Sequence, residues 1–156
     1  MIPGEIAAAQ RMQDIEISFD LSWIDFRATS DQLMQSYWGA SRTDEAHRRA
    51  FDNSLCAGAY LKGEQVGFAR AITDYTVFAY VADVIIWPPH RGRGIGKRLV
   101  QALIDHPDVS SVTHWSLSTD DAHSLYEKFG FKASTDGCYM RLDRKAGKPT
   151  ASSASD

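Results

Sequence analysis

Alternation of apolar and polar positions is clearest in the middle of the chain. "LCAGAYL" and "QVGFARAIT" are two runs of period two separated by Lys62-Gly63-Glu64, the pattern of a β-hairpin across a short glycine-containing turn. "FAYVADVII", 78–86, continues as a further strand. Behind it, Ile95, Leu99, Ala102 and Leu103 recur at the spacing of one helical face, with Lys97, Arg98, Gln101 and Asp105 falling elsewhere, and Pro107 closes that helix. Nearer the N-terminus, "IEISFDLSWIDF" predicts a strand or two, with Asp20 to Ser22 as a turn and the main strand centred on Trp23 to Phe26. Ser30-Asp31 reads as the cap of a helix through "QLMQSYW" that Gly39 stops, and Thr43 as the cap of a second through "EAHRRAF". Past the central helix, "VTHWSLS" predicts a strand, "DAHSLYEKF" a short helix closed by Gly130, and "CYMRLDR" a last strand.

These elements describe an α+β fold: one domain with a mixed sheet and helices interleaved. Residues 1–14 read as an N-terminal extension, 15–144 as the domain and 145–156, rich in Ser, Ala and Pro, as a disordered tail. At 156 residues, with 44% hydrophobic and 24% charged positions, the chain is long enough for one core. A net charge of -3 argues against a nucleic-acid binder, so any anion site is small and focused. No apolar run approaches the ~20 residues of a membrane span, the N-terminus lacks the apolar core of a signal peptide, and two separated cysteines match neither a zinc site nor a disulfide scaffold. The expectation is a cytoplasmic protein with no metal and no membrane partner.

The chemistry concentrates in "WPPHRGRGIGKRLVQAL". Glycines 92, 94 and 96 clear the approach to backbone N–H groups at a helix start, and Arg91, Arg93, Lys97 and Arg98 surround that point with positive charge. A phosphate suits such a turn. The spacing fits neither a P-loop, which needs Ser or Thr after Gly-Lys, nor a dinucleotide fingerprint, which needs G-x-G-x-x-G directly after its strand. The stretch resembles the pyrophosphate-binding motif of the GNAT superfamily of acyl-CoA-dependent N-acyltransferases through Arg91, Gly94 and Gly96. A second signature of that superfamily is matched, in the same order, by Ala122, Tyr126, Gly130 and Phe131 in "DDAHSLYEKFGF"; Thr119 departs from it, standing where many members carry Asn.

What the resemblance implies is a mostly antiparallel central sheet flanked by helices, and direct transfer of an acetyl group from acetyl-CoA, a cosubstrate, to a primary amine of a small, amino-acid-like molecule. Coenzyme A would lie on Ile85, Ile86, Trp87, Arg91, Gly92, Arg93, Gly94, Ile95, Gly96, Lys97, Thr119 and Tyr126, and dimers are common in the superfamily. Tyr126 taken alone reads as a core tyrosine; the resemblance makes it the general acid. Asp83, read as sharing a strand face with Val81 and Ile85, is either a general base or half of a salt bridge to Arg70. His114 is a reserve base, and Cys56 and Cys138 read as packing. Tyr37, Trp38, Arg42, Arg70 and Asp74 supply aromatic walls, a carboxylate-binding fork and an ammonium partner for an acceptor site. The competing class is a noncatalytic acyl-CoA-binding module that regulates a protein partner.

Overall fold

The computed structural model describes residues 2–7 and 14–143. The tail expected at 145–156 lies outside the described residues, as does most of the second half of the N-terminal extension. Five strands, β1 (Ile15–Ser18), β2 (Leu55–Leu61), β3 (Glu64–Thr73), β4 (Phe78–Ile86) and β5 (His114–Ser116), form one sheet in that order. The first four pair antiparallel, and β5 pairs parallel to β4. The helices that flank this sheet are α1 (Phe26–Met34), α2 (Asp44–Asp52), α3 (Ile95–Ile104) and α4 (His123–Glu127). The expected α+β class and mixed sheet are what the chain forms.

The β2–β3 hairpin turns on Lys62 and Gly63, both at positive φ, the two-residue turn whose twist matches that of its strands. On one face, Ile95, Leu99 and Leu103 of α3 pack on Ala57, Ala59, Ala69 and Ala71. The small residues let the helix approach closely, and Gly67 lets it come closer still: a Cβ there would lie 2.8 Å from Ile86 Cδ1 and 3.3 Å from Leu99 Cδ1. On the other face, Leu33 of α1 and Phe51 of α2 bury Cys56, Phe68 and Ile85. Phe51 and Phe68 have ring centroids 4.6 Å apart.

Three expected elements are corrected. The first strand is Ile15–Ser18, not Trp23 to Phe26: Asp20 accepts from Ser22 N at 2.9 Å and starts a 3-10 turn over Leu21–Trp23, and Asp25 accepts from Ala28 N at 2.9 Å and caps α1. Ser30 therefore lies inside α1, which ends at Met34, before Gly39. "CYMRLDR" forms no strand over its described part, 138–143. Tyr139, Met140 and Leu142 are exposed, Asp136 closes a turn onto Cys138 N, and Arg141 bonds Asp143 at 2.8 Å, so polar groups are satisfied locally instead of in a ladder. Thr43 caps α2 as expected, accepting from Ala46 N at 3.1 Å.

Candidate active site

The sheet opens where β4 and β5 part. Only Phe78–Tyr80 pair with His114–Ser116, so among the described residues the outer edge of β4 from Val81 to Ile86 has no partner strand. Its N–H and C=O groups line a crevice, and an extended ligand can satisfy them. A β-bulge bends the strand at the same place. Phe68 pairs with Ile85 and Arg70 with Ala82, leaving Ala69 alone opposite both Asp83 and Val84, and Asp83 adopts φ +53°. The bulge reverses the facing of all that follows. Asp83 and Ile85 turn toward α1 and α2, and Val84 and Ile86 toward α3. Asp83 thus shares a face with Ile85 but not with Val81, which pairs with Ala71 on the α3 side.

At the carboxyl end of β4 a 3-10 turn, Pro88–His90, leads into the glycine loop. Gly92 and Gly94 have φ of +74° and +76°, and Gly94 is the N-cap of α3. Intrahelical bonding from the cap begins with Arg98 N on Gly94 O at 3.2 Å, so the N–H groups of Ile95, Gly96 and Lys97 have no intrahelical acceptor and carry the positive end of the helix. Arg93 and Lys97 are exposed beside them, and Arg91 folds back so that its Nε donates to Ile86 O at 3.0 Å. Gly96 differs from the other two. It sits within the first helical turn, and a Cβ there would make ordinary contacts, 3.8 Å, with Val84 and Ile86. Trp87, half-buried, ties the loop's root to β3 by donating its N–H to Val66 O at 2.8 Å.

Tyr126 is held by the way α4 stops. Gly130 is at φ +93°, its N–H bonds Glu127 O at 3.0 Å, and Phe131 N–H bonds Tyr126 O at 3.3 Å, the paired bonds of a glycine helix stop. The same stop sets the Phe131 ring edge-on to that of Tyr126, centroids 6.0 Å apart. The Tyr-x-x-x-Gly-Phe spacing is therefore a clamp on the tyrosine. Burial raises the Tyr126 hydroxyl above its usual range, and the neighbouring Asp121 and Tyr37 add to the effect, so it stays protonated at neutral pH. Thr119 accepts from Ala122 N at 3.0 Å and fixes the turn before α4. Beneath that helix, a cavity of about 710 Å³ is bounded by β5, α4 and residues 129–134, with Thr119 and Tyr126 in its wall.

Four expected acceptor-side residues and Asp83 converge. Asp83, its side chain 1% exposed, accepts from Arg42 Nη1 at 2.8 Å on both oxygens, from Arg70 Nε at 2.7 Å and from Trp38 Nε1 at 3.1 Å. Arg70 Nη1 also donates to Ser54 Oγ at 2.9 Å. Burial pushes the Asp83 carboxyl up, but the Arg70 charge and hydrogen bond, with those of Arg42, outweigh it and hold the group below 3.8. Tyr37, an exposed residue, sets its ring perpendicular to that of Trp38, centroids 5.0 Å apart, and partial desolvation with the charges of Asp120 and Asp121 raises its hydroxyl. Tyr37, Trp38, Asp83, Arg42 and Arg70 thus form one connected series.

Asp74 does not join it. Its Oδ1 accepts from Thr76, Val77 and Phe78 N–H groups and builds the β3–β4 turn, whose last residue, Phe78, is five residues before Asp83 and so ~16 Å away along an extended strand. His114 is exposed at the start of β5, opposite Phe78, at the end of the strand away from the crevice. Cys56 is buried, donates to Phe51 O and is pushed up to about 12 by that burial, which leaves it an inert thiol. Two residues escaped the sequence reading. Ser54 holds Arg70, and His47, fully buried, places Nδ1 2.8 Å from Ser30 Oγ, which also donates to Asp44. Since the Ser30 proton goes to that carboxylate, Nδ1 carries the His47 proton, and Nε2 is a buried acceptor with no partner among the described residues. The four-residue step from His47 to Phe51, both on the buried face of α2, was the only available signal.

Among the described residues no helix is long and apolar enough to cross a membrane, and no cluster of three or more His, Cys, Asp or Glu could hold a metal ion. A family model described as acetyltransferase (GNAT) family matches residues 19–131. A candidate GNAT-family acetyltransferase from Xanthomonas campestris pv. campestris, known as a crystal structure, is 39% identical with a TM-score of 0.77, covering 83% of this chain and 93% of that one. Glucosamine-6-phosphate N-acetyltransferase from Arabidopsis thaliana is 17% identical at a TM-score of 0.62, covering 85% and 99%, a likeness of fold alone. A candidate acetyltransferase of Gibberella zeae is 31% identical over 62% of this chain and 66% of its own length, and an uncharacterised N-acetyltransferase, ycf52, of Pyropia yezoensis is 37% identical over 46% and 42%. The chain spans less than two thirds of the length of these two curated relatives.

Proposed function

The chain belongs to the acetyltransferase (GNAT) family, and from that premise we propose that it moves an acetyl group directly from acetyl-CoA to a primary amine of a small molecule. The observation that carries the reading is the parting of β4 from β5, with helix N–H groups that have no intrahelical acceptor at the end of β4 and a clamped tyrosine in the wall of the cavity bounded by β5 and α4. The loop fits a diphosphate: three N–H groups point out of the α3 N-terminus, Arg91, Arg93 and Lys97 add charge, and the positive φ of Gly92 and Gly94 keeps side chains out of the turn. Ile85, Ile86 and Trp87 close the end of the open edge, with the Trp87 N–H held by Val66 O and the Ile86 carbonyl by Arg91, and Thr119 shapes the turn that presents Tyr126. When bound, acetyl-CoA supplies an activated thioester.

Three demands remain for the protein: a neutral amine, polarisation of the thioester carbonyl, and a proton for the departing sulfur. The bulged edge of β4 offers backbone N–H groups for the second. The Tyr126 hydroxyl meets the third, because as the new N–C bond forms and the C–S bond breaks, the sulfur takes up the proton that the raised hydroxyl holds. Asp83 is unsuited to the first. A carboxylate that already accepts from two guanidiniums and an indole, and titrates below its usual range, is a weak proton acceptor, so the amine proton leaves to water and Asp83 is a positioning residue.

Free-thiol release from acetyl-CoA with a panel of primary amines tests the reading. Tyr126→Phe keeps the ring beside Phe131 and removes only the donor, so binding should hold while kcat falls by ~10²-fold or more. Turnover of no amine despite calorimetric binding of coenzyme A would replace the enzyme by an acyl-CoA-binding regulatory module.

A further inference from the structure

The buried cluster on the α1 and α2 face of the sheet does not balance its charge. Arg42 and Arg70 share one carboxylate, and among the described residues no second acid contacts either guanidinium. Asp44, on the neighbouring helix, is engaged by Arg27 and Ser30 instead. His47 adds no charge, because burial first and Arg42 second hold it below its usual range and keep it neutral. One positive charge is in excess. An uncompensated cation in a mostly buried setting is costly unless an anion or water reaches it.

The two arginines divide the work. Arg70, with its side chain 8% exposed, is fixed by Asp83 and Ser54. Arg42, 31% exposed, touches Asp83 through Nη1 alone, so Nε and Nη2 have no protein partner among the described residues. Asp83 thereby holds one branch of the Arg42 guanidinium and leaves its other edge, two parallel N–H donors, for a planar anion. Trp38 and Tyr37 stand beside it, and the carboxylate that anchors it sits in the bulge at the open edge of β4.

We propose that the acceptor amine carries an anionic group, a carboxylate or a phosphate, which seats on Arg42 against the wall made by Trp38 and Tyr37. The inference rests on the transferase reading. It assigns Asp83 to orienting Arg42 and excludes it as the partner of a substrate ammonium, since its oxygens are already occupied.

Matched pairs of acceptors test it: an α-amino acid against its amide for the carboxylate, phosphoethanolamine against ethanolamine for the phosphate, and spermidine as a cationic contrast. Amino-acid amides hold more neutral amine at neutral pH, so without anion recognition they are the better acceptors. The expected result is that kcat/KM of at least one anionic member exceeds that of its neutral twin by about tenfold to a hundredfold, carried by KM. In Arg42→Gln that ratio should fall close to one, and in Arg42→Lys to an intermediate value. The pair that shows the gap identifies the anion. Thermal shift with the same compounds and bound coenzyme A reads binding apart from turnover. Stabilisation by the anionic members that Arg42→Gln loses, with no turnover of any amine, would retain the anion site and overturn the transferase reading. Equal rates and equal shifts within both pairs, or preference for spermidine, would overturn the anion site.

Discussion

Replacing Asp83 by Asn separates a proton acceptor from an electrostatic hub, because the two roles predict opposite measurements. The substitution keeps the shape and removes the charge, and the structure sets the cost. Asp83 is 1% exposed and engages two guanidiniums, so its loss leaves buried cations that face each other across an amide. Removing one partner of a buried ion pair costs ~3–5 kcal/mol. Arg42, 31% exposed, can turn toward water, whereas Arg70 at 8% cannot, so the low end, ~3 kcal/mol, is expected. For a chain of this length that is a melting temperature lower by roughly 6–12 °C. The pH dependence has a fixed sign. The carboxyl titrates below 3.8 in the folded protein, so its stabilisation is complete above that value and is lost as pH falls through the folded value. The variant should therefore lose part of the acid limb of the stability curve. Calorimetric melts over a pH series, with rates on the same samples, read both quantities. A variant that melts within about 2 °C of the parent and regains its rate at high pH, where more amine is neutral, would make Asp83 the base and refute the hub. Pairing Asp83→Leu with Arg70→Met checks the origin of the cost: the double variant should recover most of what either single one loses.

Other parts of the site respond in distinct ways. Gly94→Val forces a branched residue into φ +76° at the cap of α3, which should cost ~1–2 kcal/mol and weaken coenzyme A binding by about tenfold or more in calorimetry. Gly96→Ala should leave the melting temperature near that of the parent, since its Cβ makes only ordinary contacts; parental affinity in Gly94→Val would remove the phosphate assignment. At Gly130 a Cβ meets nothing within 4 Å, so Gly130→Ala isolates the φ of +93°, and a loss of ~1–2 kcal/mol with a lower kcat and an unchanged KM for acetyl-CoA is expected if the helix stop aims Tyr126. Parental kcat would detach the stop from catalysis. His47 is held below 6.5, so the unfolded chain takes up its proton first: stability is full above that value, declines as pH falls toward the folded value, and loses no more below it. His47→Gln should flatten that decline in urea titrations, and an unchanged slope would mean that other groups cause it.

The site was legible where chemistry follows backbone geometry and illegible where it depends on register. Glycines at 92 and 94 announce a turn whose φ values other residues avoid, and the Tyr126 to Phe131 spacing writes out a helix stop, so both ends of the crevice could be read in advance. "CYMRL" alternates as well as any strand, yet alternation states a preference without naming a partner, and the described part of that segment finds none. Trp23 to Phe26 misled for a related reason. Asp20 stands before that run and Asp25 inside it; they accept from Ser22 N and Ala28 N and start a 3-10 turn and a helix, while the N–H groups of Trp23 and Ile24 bond back to Asp20 O and Leu21 O instead of joining a ladder.

The bulge is the deepest case. No residue in "VADVI" requires an extra position opposite Ala69, and period two carried through the strand places Asp83 with Val81. Inserting one unpaired residue moves the carboxylate across the sheet, from the α3 core to the face where Arg42, Arg70 and Trp38 await it. A regular strand would bury Asp83 against the alanines under α3 with no donor in reach, so the cluster and the bulge require each other. The φ of +53° costs ~1–3 kcal/mol in a residue with a side chain, and the hydrogen bonds of two guanidiniums offset it. The same irregularity gives the open edge of β4 its bend beside the crevice. One extra residue thus both bends the backbone along the crevice and places the carboxylate that orients Arg42, which is why neither could be inferred from the strand pattern alone.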